Sequence, residues 1–81
     1  MCKEISEATY EMVGRLTLLV DKARDRQKGI VRTLKNNWAL EPDVRKGLEE
    51  VFDKYEEEAV SALALILKLT GLTYLGDGQF E

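Results

Sequence analysis

The side chains best suited to chemistry in this sequence are two pairs of carboxylates. Glu4 and Glu7 form one pair, and Glu50 and Asp53 form the other. Residues three positions apart are neighbours on the surface of a helix, and magnesium prefers oxygen ligands such as these. The two pairs could therefore hold a magnesium ion if two helices brought them face to face.

The elements that carry these carboxylates argue against such a site. If two helices run antiparallel around a turn near residues 38–39, the first pair lies beside residues 70–74 and the second beside residues 25–28. At a rise of 1.5 Å per residue, the two pairs are about 30 Å apart. A magnesium-dependent nucleotide hydrolase would have to be assembled across an oligomer with a matching offset, and it is the third of our functional hypotheses.

Other catalytic groups are scarce. The chain of 81 residues has no histidine and a single cysteine, Cys2, so it lacks the usual general base near neutral pH and a base to activate the thiol. Ser6 and Ser61 have no histidine that could activate their hydroxyl groups. The turn at residues 76–78 is too short for a phosphate-binding loop. We therefore expect a non-enzymatic protein with no cofactor and no metal site.

Two long amphipathic helices account for most of the chain. The first is predicted over about residues 3–35, where apolar residues recur every three or four positions. Gly29 could end this helix, but the apolar stripe keeps its phase across Gly29 and favours a continuous helix. The predicted core-facing residues, with Gln27 as the one gap, are Ile5, Ala8, Met12, Leu16, Leu19, Ala23, Ile30 and Leu34.

The second helix is predicted over about residues 42–71. The connection, residues 36–41, begins with two asparagines, which favour the end of a helix. Pro42 suits the first turn of the next helix, and Gly71 is expected to end it. A short connection between two long helices predicts an antiparallel helical hairpin, and so a single all-α domain over residues 1–81.

The last ten residues, 72–81, follow a different pattern. Thr73 and Tyr74 favour extended backbone, and the glycines at positions 76 and 78 indicate a turn. The arms on either side are too short for a β-hairpin that is stable in isolation. We expect a short irregular C-terminal arm that docks on the helices through Leu72, Tyr74, Leu75 and Phe80.

The second helix is apolar nearly all the way round over residues 59–67, and one partner helix can cover only one side of it. Exposed apolar surface of this kind marks an interface, which predicts a homodimer in the form of a four-helix bundle. Folding of the C-terminal arm over the same surface is the alternative. The predicted oligomer interface consists of Val60, Leu63, Ala64 and Leu67.

Charge is segregated along the chain, although its total is only −3. Residues 21–36 contain six cations and two carboxylates, and residues 41–58 contain three cations and eight carboxylates. Antiparallel helices would place these blocks side by side, and the expected ion pairs are Lys22–Glu56, Lys28–Glu50 and Lys35–Asp43. Read alone, the basic block would instead bind phosphate groups or nucleic acid, through Lys22, Arg24, Arg26, Lys28, Arg32 and Lys35.

Three aromatic residues are candidates for contact with a partner. Trp38 lies in the predicted connection, where it could cap the end of the helix pair or anchor a partner, since tryptophan is enriched among binding hot spots. Tyr74 and Phe80 lie near the turn glycines, where they could dock on their own chain or contact a partner.

These features favour a small homo-oligomeric interaction protein that regulates, inhibits or links a protein partner. Binding of nucleic acid or a phosphorylated ligand through residues 22–35 is the alternative. The longest apolar stretch, residues 59–69, is too short to span a bilayer, and Glu4, Glu7 and Glu11 stand where a signal peptide needs basic and apolar residues. We expect a cytoplasmic protein without membrane contact, and a phage-encoded (viral) or plasmid-encoded protein would show the same pattern.

Overall fold

The computed structural model describes residues 7–81 as two long helices followed by a short β-hairpin. Helix α1 comprises Glu7–Asn36, helix α2 comprises Pro42–Thr70, strand β1 comprises Tyr74–Gly76 and strand β2 comprises Gln79–Phe80. The helices pack against each other as an antiparallel hairpin in a molecule of 56 × 17 × 16 Å. The predicted all-helical hairpin is confirmed. Predictions that involve Cys2, Glu4, Ile5, Ser6 and the start of the first helix lie outside the described residues.

Helix α1 continues through Gly29, as the phase of its apolar stripe predicted. The Thr33 hydroxyl donates a hydrogen bond to the Gly29 carbonyl one turn earlier, at 3.0 Å. The helix ends at the asparagines: the backbone N–H and the side-chain amide of Asn37 both donate to the Thr33 carbonyl, at 3.1 and 2.9 Å. The side chain of Trp38, in the turn that follows, is 85% exposed, so Trp38 does not cap the core.

Helix α2 ends where glycine permits a left-handed residue. Gly71 has φ of 74° and donates its N–H to the Leu67 carbonyl at 2.7 Å. The Thr70 hydroxyl donates to the Ile66 carbonyl at 2.7 Å and accepts the Leu72 N–H at 3.1 Å. These bonds satisfy backbone groups that a helix end leaves unpaired, and the chain leaves the helix directly into the C-terminal segment.

The prediction of an irregular C-terminal arm is wrong, because residues 73–81 form an antiparallel β-hairpin. Asp77 and Gly78 have φ of 50° and 79°, as a two-residue type I′ turn requires, and Asp-Gly is a favoured sequence for that turn. Beyond the strands, Thr73 and Glu81 exchange two backbone hydrogen bonds of 2.9 and 2.8 Å. The Asp77-Gly78 sequence indicated this turn. A β-hairpin was not predicted, because arms this short are not stable in isolation.

Tyr74 supplies the missing stability by docking the β-hairpin on the helices. Its side chain is 4% exposed and belongs to the core cluster with Val20, Ala62 and Ile66. Its hydroxyl donates to a carboxylate oxygen of Asp21 at 2.8 Å and accepts the Gly78 N–H at 2.9 Å. Burial raises the pKa of this hydroxyl above its ordinary value of 10.0. The tyrosine therefore connects the turn of the β-hairpin with helix α1.

The core-facing side of helix α1 differs from the predicted stripe. Leu16 and Ala23 face inwards as predicted, but Ala8, Met12 and Leu19 are exposed. The β-hairpin explains the difference, because it packs beside Val20 and so brings the neighbouring side of the helix into the core. The buried residues of the two helices are Val13, Val20, Ala23 and Gln27 in helix α1 and Ala59, Ala62 and Ile66 in helix α2.

Alanine substitutions at two glycines should change stability in opposite directions. Gly29 lies inside a helix with nothing near the position of a new Cβ, so Gly29→Ala should stabilise the fold by about 1 kcal/mol. Gly71→Ala should destabilise it by about 1–2 kcal/mol, because alanine is strained at positive φ. Urea denaturation of both variants at one protein concentration measures these changes, and a destabilising Gly29→Ala would contradict a continuous helix.

Candidate functional site

Two grooves run along the helical hairpin on opposite sides. Successive residues of a helix are about 100° apart, so Leu19 and Asp21 lie on either side of the buried Val20. The Asp21 side holds the β-hairpin, through bonds from the Tyr74 hydroxyl and from the Asp77 N–H, the latter at 3.3 Å. The Leu19 side has no such cover among the described residues.

The uncovered side forms what we call the open groove. Both helices line it, and three adjoining depressions of about 440, 430 and 660 Å³ follow one another along it. The first and second share Leu19 and Glu58, and the second and third share Tyr55. The apolar residues that define the open groove are Leu16, Leu19, Ile30, Val51, Tyr55 and Leu65.

The edges of the open groove carry both signs of charge. Arg15, Lys22 and Arg26 stand on the helix α1 side, together with Asp25. Glu57 and Glu58 stand on the helix α2 side, together with Lys54. The groove is thus an apolar strip with a mainly cationic edge and a mainly acidic edge.

The predicted oligomer interface lies on a different part of helix α2. Val60, Ala64 and Leu67 are exposed, whereas Leu63 is half-buried and packs against the core cluster. At about 100° per residue, Val60 and Ala64 point away from the buried Ala62. This patch is therefore formed by helix α2 without helix α1, and its role as an interface stays a prediction.

The opposite side of the helical hairpin carries a separate depression of about 490 Å³, which we call the basic groove. Four of the six predicted phosphate-binding residues meet there. Lys22 and Arg26 do not, because they lie along the open groove. The residues that line the basic groove are Arg24, Gln27, Lys28, Val31, Arg32, Lys35 and Phe52.

Arg24 closes the basic groove at the end nearer the β-hairpin. One guanidinium nitrogen donates to both carboxylate oxygens of Glu56, at 2.6 and 2.8 Å, and to the Gln27 side chain at 2.8 Å. The amide of Gln27 donates to the Phe52 carbonyl at 3.3 Å. These contacts explain how a polar residue fills the gap in the apolar stripe: both ends of the Gln27 amide are hydrogen-bonded.

The expected ion pairs Lys22–Glu56, Lys28–Glu50 and Lys35–Asp43 are wrong. Arg24–Glu56 is the one ion pair within residues 7–81, so the residue numbers of the facing pair total 80 rather than about 78. Lys22 is also turned about 160° away from Val20, whereas Arg24 lies only about 40° from it. Lys22 therefore points away from Glu56. Lys28 and Lys35 lie on the same side of helix α1 as Arg24, but Glu50 and Asp43 are turned about 120° and 140° away from Glu56 around helix α2.

The other candidate residues are dispersed. Tyr74 is buried, so it does not serve as a partner contact, and the partly exposed Phe80 ring packs 5.0 Å from the Tyr74 ring at 52°. Trp38 remains available to a partner. Over residues 7–81, no three Asp, Glu or Cys side chains are arranged to hold a metal ion. Neither of the two helices, over the same span, is apolar for long enough to cross a membrane.

Comparison with known proteins adds no assignment. No protein-family model, curated protein sequence or solved structure matches the chain.

The Arg24–Glu56 contact should be visible in an acid titration. The hydrogen bond and charge of Arg24 hold the pKa of Glu56 below its ordinary value of 4.5. A lowered pKa in the folded state means that the pair stabilises the fold above pH 4.5 and loses this effect as pH falls through the folded pKa. Arg24→Gln should raise the pKa of Glu56 towards 4.5, as measured by NMR of its carboxyl carbon. An unchanged pKa would contradict the pairing in solution.

Proposed function

We propose that this protein is a non-enzymatic interaction protein that works as a homodimer. Two copies pair through their open grooves into a four-helix bundle, and the dimer acts on a protein partner as a regulator, inhibitor or adaptor. The observation that carries the proposal is the open groove, an apolar strip lined by both helices and left uncovered by the β-hairpin.

Support for self-pairing comes first from the composition of this surface. A four-helix bundle needs an apolar surface to which both helices of each copy contribute. Leu19 of helix α1 and Leu65 of helix α2 are 41% and 49% exposed, so each has apolar surface left to bury. The patch around Val60 belongs to helix α2 without helix α1, and we therefore favour the open groove over the interface expected from sequence.

The size and charge of the open groove suit a second copy. One side of a molecule 56 Å long and 17 Å wide is larger than the roughly 800 Å² that each partner contributes to a standard interface. A two-fold axis parallel to the helices would place helix α1 of each copy against helix α2 of its partner. The cationic edge formed by Arg15, Lys22 and Arg26 would then meet the edge that carries Glu57 and Glu58.

Charged substitutions in the open groove should separate the dimer. In Leu19→Glu/Leu65→Glu, four half-exposed leucines per dimer are replaced, and each contributes about 1 kcal/mol on burial. The dimer dissociation constant should therefore rise on the order of 1,000-fold. Sedimentation equilibrium measures the constant, and circular dichroism establishes that the variant is still helical.

Val60→Glu/Leu67→Glu is the matched control, because these residues are 53% and 49% exposed on the same molecule. The control should remain dimeric. A monomeric wild-type protein would refute the proposed dimer. A dimer that survives the Leu19 and Leu65 substitutions but not the Val60 and Leu67 substitutions would assign the interface to the patch expected from sequence.

A further inference from the structure

The basic groove has a charge pattern that its own chain does not neutralise. Within the described residues, Glu56 is paired with Arg24, and neither Lys28, Arg32 nor Lys35 forms an ion pair. These three cations follow one another at intervals of four and three residues, so they lie along one edge over about 10 Å. Their side chains are exposed.

The floor of the basic groove is apolar rather than charged. Val31 is exposed there, and Phe52 of helix α2 is half-buried beside it. The surface therefore offers an apolar strip with a cationic edge on one side only. An amphipathic helix with carboxylates along one edge of its apolar stripe has the complementary pattern, since residues at such intervals align on one side of a helix.

We propose that the basic groove binds an acidic amphipathic helix of a partner protein. From Arg24 to Lys35 the groove extends about 16 Å, which equals three turns of a bound helix. The carboxylates of the partner pair with Lys28, Arg32 and Lys35, and its apolar side chains contact Val31 and Phe52. This inference names the surface for the partner in the proposed function, and it uses the side of the molecule that dimerisation leaves free.

A protein helix fits this site better than nucleic acid does. The chain has a net charge of −3 and an isoelectric point near 5.0, whereas nucleic-acid-binding domains carry an extended basic surface. Beyond the three cations, a long polyanion would meet exposed carboxylates of helix α2, among them Glu49, Glu50 and Asp53. A short helix that spans only the basic groove avoids this repulsion.

Designed peptides of about 15 residues test the site. One labelled alanine-based helix carries leucines along one stripe with glutamates beside them, and its matched control carries glutamines instead. Fluorescence anisotropy at low salt should show tighter binding of the acidic peptide. Lys28→Gln/Arg32→Gln should weaken that binding about 2- to 30-fold, since two exposed ion pairs are lost. Lys46→Gln/Lys68→Gln changes net charge equally at exposed positions outside the groove and should have little effect.

Two further comparisons make the test specific. Val31→Gln, which leaves charge unchanged, should weaken binding of the acidic peptide about threefold by removing apolar contact. A short RNA duplex should bind more weakly than the peptide. The proposal is overturned if the glutamine peptide binds equally well, if the control variant loses as much affinity, if Val31→Gln has no effect, or if the duplex is preferred. The mass of each sample, measured in parallel, reports separately on dimerisation.

Discussion

The docking of Tyr74 against both helices determines which side of the helical hairpin is covered. Two helices alone would leave both sides of their contact open. Tyr74 fills one of them, by packing against Val20 and Ile66 and by connecting Asp21 to the turn of the β-hairpin at Gly78. A buried tyrosine needs partners for its hydroxyl, and this one has both a donor and an acceptor.

This one contact has consequences along the whole molecule. Because the β-hairpin occupies the Asp21 side near the open ends of the helices, the same side is free towards the connection, where the basic groove begins at Arg24. The other side has no such cover among residues 7–81. Self-association and partner binding can then use separate surfaces. The two grooves, which neither helix could form by itself, thus have different proposed roles.

The sequence was sufficient to predict the two helices and their connection, because Pro42, Gly71 and the apolar periodicity are local signals. It did not predict the rotation of helix α1. Apolar residues occur on more than one side of that helix, and Met12 and Leu19 fitted the period as well as Val13 and Val20. The position of the β-hairpin determines which of these residues are buried. Its Asp77-Gly78 turn is a local signal in the sequence, but its stability comes from packing on the helices.

The candidate sites were predictable only in part for the same reason. The basic block is evident in the sequence, but the rotation of helix α1 divides it between the two grooves. Arg24, Lys28, Arg32 and Lys35 lie in the basic groove, and Lys22 and Arg26 lie in the open groove. The Arg24–Glu56 ion pair could not be predicted from the register of the two helices alone, because it also depends on the direction in which each side chain points. Gln27, which interrupted the apolar stripe, could not be recognised as a core residue until its hydrogen-bond partners were in place.

The most direct test of the central claim is the accessibility of two side chains on helix α2. Ser61 lies along the open groove and Val60 lies on the outer side, and both are exposed in the single chain. In a Cys2→Ser background, maleimide modification of Ser61→Cys should slow as protein concentration rises, whereas modification of Val60→Cys should keep its rate. Protection of Val60→Cys alone, or of neither position, would contradict pairing through the open groove.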